Sequence, residues 1–358
     1  MIISRTPFRI SFFGGGTDYP VWFREHGGSV IGTTINKYCY ITCRFLPPFF
    51  PHKSRIVYQK VETVSSNSQI QHRAVRGTLG YLDISEGVEL HHDGDLPGRS
   101  GLGSSSSFTV GLLHALSALK QTMPTKQQLA KTAMHVEQEV LRENVGCQDQ
   151  VLTAYGGFQR INFLPKPSSD DFQVVPLIMS RERLQRFQSH LLLYYTGISR
   201  IASDIAQEQL DRTRQNEKPL RLIGQMVDEA ERLFTGNAPL TEIGELLHES
   251  WLLKKSLSPK VSTSKIDTIY EEARRSGAVG GKVLGAGGGG FMLLFARPEG
   301  HPAIKERLKS LLHVPFQFET HGSQIVLYDP DSAPESGELL RPGQPGKFLP
   351  GQELSLAR

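Results

Sequence analysis

Cysteine is scarce in this sequence. Cys39, Cys43 and Cys147 are the whole complement, an odd number with no CxxC pair. Such usage reads as a reducing compartment and argues against structural zinc. Long apolar runs are missing too, since none approaches the roughly 20 residues of a membrane span. The opening MIISRTPFRISFF is interrupted by Arg5, Pro7 and Arg9 too soon for a secretory signal. No run rich in Lys and Arg is present, and the net charge of +4 is spread along the chain. That gives no basis for nucleic-acid binding and suits a small anionic substrate. The expectation is a cytoplasmic protein with a small-molecule partner and neither membrane nor nucleic acid. Its 358 residues, 38 % hydrophobic, suffice for a large core in two lobes.

Glycine and serine, by contrast, are concentrated. Pro97 to Ser107 reads PGRSGLGSSSS, and an apolar helical pattern (Phe108, Val110, Leu112, Leu113, Leu116, Leu119) starts at once behind it. Glycines let backbone N–H groups approach an anion, and a helix start leaves such groups unpaired. The hydroxyls of Ser104 to Ser107 suit either a helix cap or Mg²⁺. A Gly/Ser linker is disfavoured by the helix behind and the strand-like Val88 to Leu90 in front. The stretch is not a Walker A motif, because no lysine follows Gly103. Charge balance must then come from Mg²⁺ or a basic residue elsewhere.

Taken in order, Ile2 to Phe13 reads as a strand ending in Gly14-Gly15-Gly16-Thr17-Asp18-Tyr19. That end is either a plain turn or a place where backbone approaches a ligand. Ser29 to Arg44 and Arg55 to Val64 are expected strands, and Ile70 to Leu82 a helix with Arg73 and Arg76 on one face. Thr125 and Gln128 give a capping-box signal for a helix running to Leu141, with Glu137 and Glu139 near its end. In ENVGCQDQVLTAYGGF, Asp149 is a helix cap or a catalytic base, and the residues alone leave both open. Phe158 to Phe163, Phe172 to Leu177 and His190 to Thr196 read as strands, and Ala202 to Ser276 as about four helices. KVLGAGGGGFMLLF contains a GxGxxG at Gly285, Gly287 and Gly290, but the apolar run behind it is β-like, which rejects a dinucleotide fold. Pro302 to Leu312 is an expected helix, and Pro315–Thr320 with Gln324–Tyr328 a final hairpin. Beyond Asp329 no periodic pattern remains, and the expectation is a disordered tail over 329–358.

Three glycine-rich stretches therefore stand in order: Pro7 to Tyr19, Pro97 to Ser107 and Gly280 to Phe291, with GCQDQ between the second and third. This set resembles the three motifs of the GHMP kinases over about Ile2 to Tyr328. Within that superfamily the strings FFGGGTDYP, LPGRSGLGSSSSFTVGLL, VGCQDQ, YTGISRIA, ESWLLKKSLS and GKVLGAGGGGF are most similar to the bacterial sugar-1-kinases that act on D-glycero-D-manno-heptose 7-phosphate.

The resemblance implies an α+β fold. Its N-terminal α/β lobe (1–180) would be like domain 2 of ribosomal protein S5 and bind ATP. Its C-terminal lobe (181–328) would be ferredoxin-like, with the active site in the cleft. It also implies roles. Pro97, Gly98, Gly101, Leu102, Gly103, Ser104, Ser105 and Ser106 would wrap the ATP phosphates. Ser105 and Glu137 would hold Mg²⁺. Asp149 would be the base, with Arg9 beside it and the γ-phosphate. Gly15, Gly16, Thr17 and Asp18 of the first motif and Gly287, Gly288 and Gly289 of the third would meet the substrate, and the third motif would also support the phosphate loop. Arg200, Arg73, Arg76 and Lys37 are candidates for the substrate's own phosphate. Galactokinases carry Glu-His where this chain has Gly15 and Gly16, which removes a sugar-binding carboxylate and makes galactose an unsuitable substrate. L-fucose or uronic acid 1-kinases, and a sensor without turnover, are the rival readings. The sensor is disfavoured because the base and the metal carboxylate are both present.

Overall fold

The computed structural model describes residues 1–47, 49–98, 100–165, 171–198, 206–208, 211–213 and 215–330. Two long β-rich stretches, β1 (Ile2–Phe13) and β2 (Gly28–Phe45), pair antiparallel along most of their length. Between them sits α1 (Pro20–His26), a helix absent from the sequence reading. Its signals are short: Pro at the first position and Gly27 at φ 70° after the last.

β3 (Ser54–Val57) and β4 (Val61–Val64) form a hairpin where one strand was expected. The chain reverses over the three intervening residues, where the Tyr58 N–H meets the Lys60 carbonyl at 2.8 Å. α2 (Arg73–Tyr81), β5 (Val88–Gly94) and α3 (Ser104–Leu119) follow. α3 is buried along nearly its whole length, as its apolar sequence requires. α4 (Lys126–His135) opens on the expected Thr125/Gln128 capping box and passes into a π-helical turn, Val136–Val140. α5 (Gln148–Tyr155), β6 (Gln159–Phe163) and β7 (Phe172–Pro176) complete this half.

The second half contains α6 (Arg181–Ser189), β8 (Leu191–Tyr195), α7 (Glu217–Thr235), α8 (Leu240–Ser256), α9 (Ser264–Arg275), β9 (Ala278–Val283), β10 (Phe291–Ala296), α10 (His301–Arg307) and β11 (Leu312–His313). Its four strands lie in the order β11-β8-β10-β9 and are antiparallel throughout. That order, with helices between β8 and β9 and between β10 and β11, is the split βαβ arrangement of a ferredoxin-like unit. The glycines of the third motif join β9 to β10, as their sequence predicted.

The last two strands do not pair with each other. β12 (Phe318–Glu319) adds to β2, and β13 (Gln324–Tyr328) to β1. The expected final hairpin is therefore absent. Both segments find a sheet edge of the first half, which local sequence does not reveal. The large sheet reads β13-β1-β2-β5-β3-β4, with β6 on β2 and β7 on β6.

Aromatic side chains join the two sheets. Phe12 stacks on Phe158 at 5.3 Å between ring centroids, and Phe234 meets Phe158 and Phe187 edge-on at 5.0 Å each. All four rings belong to one buried cluster, so the sheets share a core beneath the end of β1. The expected tail after Pro330 lies outside the described residues. Among the described residues no helix is long and apolar enough to cross a membrane.

Candidate active site

Everything of chemical interest converges on the start of α3. Gly103 precedes that helix in the left-handed region (φ 74°) and, being glycine, offers it no side-chain cap. A Cβ on Gly103 would lie 3.0 Å from Arg9 Cγ and 3.3 Å from Asp149 Oδ2. Glycine there lets the loop turn beneath two charged side chains without filling their space. The loop is fastened to β1: the Arg9 N–H donates to Leu102 O at 3.0 Å, and Arg9 Nη1 donates to Gly101 O at 2.7 Å. Pro97 and Gly98 are exposed at its outer edge.

Arg9 is buried and spends the rest of its guanidinium on Asp149. Nε donates to Oδ1 and Nη2 to Oδ2, each at 2.7 Å. This bidentate fork fixes the carboxylate plane. Asp149 stands in the first turn of α5, and its side chain remains 23 % exposed, so a small molecule can reach it. The sequence-stretch candidates Arg9, Gly101, Leu102, Gly103 and Asp149 are thus in mutual contact.

Glu137 lies in the π-helical turn and is fully buried. Ser106 Oγ donates to its Oε2 at 2.9 Å, and Gln150 Nε2 donates to the same oxygen. Its Oε1 has no partner. Burial pushes its carboxyl up to about 7, against the pull of Gln150, Thr109 and Ser106. The sequence reading had paired Ser105 with Glu137. In the structure the partner is Ser106, while Ser105 is exposed. One residue is about 100° around a helix, which turns Ser105 outward and Ser106 toward the buried carboxylate. Ser104 is half-buried between loop and helix.

The first motif shapes the floor. Asp18 is buried and accepts from the Gly16 N–H at 3.0 Å and the Gln148 N–H at 3.3 Å. Its carboxyl is raised chiefly by burial, with the charge of Asp149 acting in the same direction. Thr17 does not offer its hydroxyl to a ligand. That hydroxyl donates to Gly14 O and Ser29 O and accepts from the Ser29 N–H. Its role is to lock the turn. At Gly15 a Cβ would find only loose neighbours, the nearest being Gln148 Nε2 at 3.7 Å.

The third motif presses on the glycine-serine loop before α3. A Cβ on Gly285 would lie 2.6 Å from Gly101 Cα, and the Phe291 N–H donates to Ser100 O at 3.0 Å. Gly287 and Gly289 pack their backbones on Val261 and Ile198, and the Gly288 N–H donates to Val261 O at 2.8 Å. The backbones of these three glycines therefore brace the turn from within.

Two buried lysines escaped the sequence reading as site residues. Lys254 Nζ donates to Gly285 O, and Lys282 Nζ donates to Phe12 O at 2.7 Å. The only signal was a lysine inside an apolar helix and another inside an apolar strand. Of the proposed phosphate anchors, Arg73 donates to Leu141 O and Arg76 to Ile70 O, which ties them to backbone around α2. Arg200 lies outside the described residues.

Comparison with known proteins agrees with this geometry. Residues 69–157 match the GHMP kinases N terminal domain, and residues 237–313 match the GHMP kinases C terminal domain. The chain is 30 % identical over 316 residues to D-glycero-alpha-D-manno-heptose 7-phosphate kinase of Campylobacter jejuni, covering 83 % of this chain and 90 % of that one. It is 24 % identical to the bifunctional fucokinase/GDP-fucose pyrophosphorylase of Arabidopsis thaliana, over 90 % of this chain and 32 % of that protein. Among solved structures, a D-glycero-D-manno-heptose 1-phosphate kinase from Bacteroides thetaiotaomicron superposes with a TM-score of 0.73 at 23 % identity, covering 90 % and 98 % of the two chains. The fold is shared with sugar and mevalonate kinases. The chain belongs to the GHMP kinases. It is an ATP-dependent phosphotransferase with an alcohol group as acceptor.

Proposed function

We propose that this kinase acts on a sugar and phosphorylates the anomeric C1 hydroxyl of D-glycero-D-manno-heptose 7-phosphate, giving the 1,7-bisphosphate. The observation that carries the chemistry is the Arg9–Asp149 fork at the foot of α3. The likeness to the Campylobacter jejuni enzyme supports the substrate.

In this reading the N–H groups of Gly101 to Ser105 at the start of α3 meet the phosphates of ATP, with Pro97, Gly98, Leu102 and Ser106 shaping the loop. Asp149 orients the sugar hydroxyl and accepts its proton as the oxygen bonds to the γ-phosphorus and ADP leaves. An anomeric hydroxyl is more acidic than an ordinary alcohol, so a carboxylate suffices. Arg9 offers a fixed cation to charge developing on the transferred group. Gly15, Gly16, Asp18 and the turn at Gly287–Gly289 line the acceptor side, and Arg200 is a candidate for its phosphate.

The residues also fit Mg²⁺, which takes one or two carboxylates together with phosphate oxygens. Glu137 offers a buried oxygen that accepts no hydrogen bond, the Ser106 hydroxyl stands beside it, and Ser105, one position earlier, faces outward. The bound ion would neutralise charge on the triphosphate. Residues 1–180 would supply the nucleotide-binding lobe and 181–328 the lobe that closes over it.

A panel of sugars with ATP and Mg²⁺, scored by ADP release, tests the assignment. Heptose 7-phosphate should give the highest kcat/KM. Turnover of another sugar with none of the heptose phosphate would sink it. L-fucose is the second reading, favoured by the match to the plant fucokinase across 90 % of this chain.

A further inference from the structure

We propose that Lys254 is a positioning residue for the nucleotide: its ammonium holds the Gly285 carbonyl, and through it the third glycine turn, against the phosphate loop. The inference rests on the reading that the loop at 97–106 binds the phosphates of ATP.

Lys254 lies in α8 and is 7 % exposed. Its Nζ donates to Gly285 O and makes no other hydrogen bond or ion pair among the described residues. A buried ammonium with one acceptor for three donors is costly unless it serves something nearby. What lies nearby is the loop. Gly285 touches Gly101, whose carbonyl accepts from Arg9 Nη1, and Arg9 grips Asp149. The contacts run unbroken from Lys254 through Gly285, Gly101 and Arg9 to Asp149. Lys282 does a different job, because it bonds to Phe12 O at the end of β1 and ties the two sheets together.

The charges facing Lys254 are Arg9 from β1, Asp18 from the turn behind β1 and Asp149 from α5, with Lys282 on β9 also within electrostatic reach. Burial, and then the Arg9 charge, bring the Lys254 ammonium down to about 8, while Asp18 and Asp149 act against them. A triphosphate on the loop adds negative charge and favours the protonated lysine. Above about pH 8 in the empty protein the amine becomes neutral, and its grip on the carbonyl weakens.

The test uses the full chain and MgATP alone, titrated by calorimetry from pH 7 to pH 9 without any acceptor. Wild-type affinity should fall several-fold across that range. Lys254→Met should bind about tenfold more weakly at pH 7, with a flat profile, as expected for losing one charge-assisted bond. Lys254→Arg, whose guanidinium does not titrate there, should bind near the wild-type level at pH 7 and also stay flat. Wild-type affinity in Lys254→Met, or a wild-type decline in Lys254→Arg, would overturn the proposal. Should Lys254→Met fail to fold, the Lys254→Arg profile decides by itself. With no acceptor present, an error in the sugar assignment leaves the result untouched. Wild-type protein that binds no MgATP would overturn the reading of the loop and this inference with it.

Discussion

Arg9 and Asp149 meet side-on, two N–H donors on two carboxylate oxygens, although 140 residues separate them in the chain. The pair is held at the mouth of α3 by the same arginine's bonds to Gly101 and Leu102. Asp149, Arg9 and the loop are therefore one mechanical unit, and perturbing any member should show in turnover before it shows in folding.

Asp149→Asn keeps the shape and removes the proposed base. Turnover should fall by about 10³-fold or more, in the range usual for losing a general base. MgATP affinity, measured by calorimetry, should stay within a few-fold. A near-normal kcat would refute the role given to Asp149.

Gly103→Ala places a methyl between Arg9 and Asp149 and forces a non-glycine residue to φ 74°. The backbone cost is about 1–2 kcal/mol. Denaturant unfolding should register that loss, and kcat should drop more steeply than stability alone explains. Unchanged kcat would mean the fork tolerates displacement.

Glu137 should leave a mark on stability against pH. Its folded value is raised from 4.5 to about 7. The stability it contributes is therefore fully present below about 4.5 and is lost as the pH rises to about 7, by about 3 kcal/mol if nothing relaxes. His114 acts oppositely. Burial holds it down to about 4, so its contribution is lost as the pH falls from 6.5 toward that value. The quantity to measure is the difference in unfolding free energy between wild type and Glu137→Gln across this window, without metal or nucleotide. A difference independent of pH would show that Glu137 titrates alike in the folded and unfolded chain.

Arg73→Glu and Arg76→Glu should leave the ratio of KM values for phosphorylated and unphosphorylated sugar unchanged. Their guanidinium groups serve backbone carbonyls around α2, which packs on α3 and the turn that carries Glu137. Modest destabilisation is the expected effect. A selective rise in KM for the phosphorylated sugar would restore them as anchors.

What the sequence made legible was local. Glycines that must turn, a capping box and the switch from helical to alternating apolar spacing marked the loop, α4 and the β9–β10 connection. What it hid depends on partners distant in the chain. Nothing near residues 318–328 says that they pair with β1 and β2 rather than with each other. Nothing in a run of four serines says which one faces Glu137, because that depends on the helix starting at Ser104 and not a residue later. Lys254 and Lys282 look like ordinary helix and strand lysines until the fold closes around them. Thr17 fails as a substrate contact for a related reason: its hydroxyl is consumed by the carbonyls of Gly14 and Ser29, and the second belongs to another strand.

β13 completes the large sheet against β1. At that seam Thr6 and Ser323, 317 residues apart in the chain, join their hydroxyls beneath His114. Without β13, β1 keeps one flank bare, because that edge is filled only by residues more than three hundred positions further along the chain. Deleting residues 318–328 would expose the edge of β1 at Ile2–Arg5 and part of β2, an edge open to pairing with another chain.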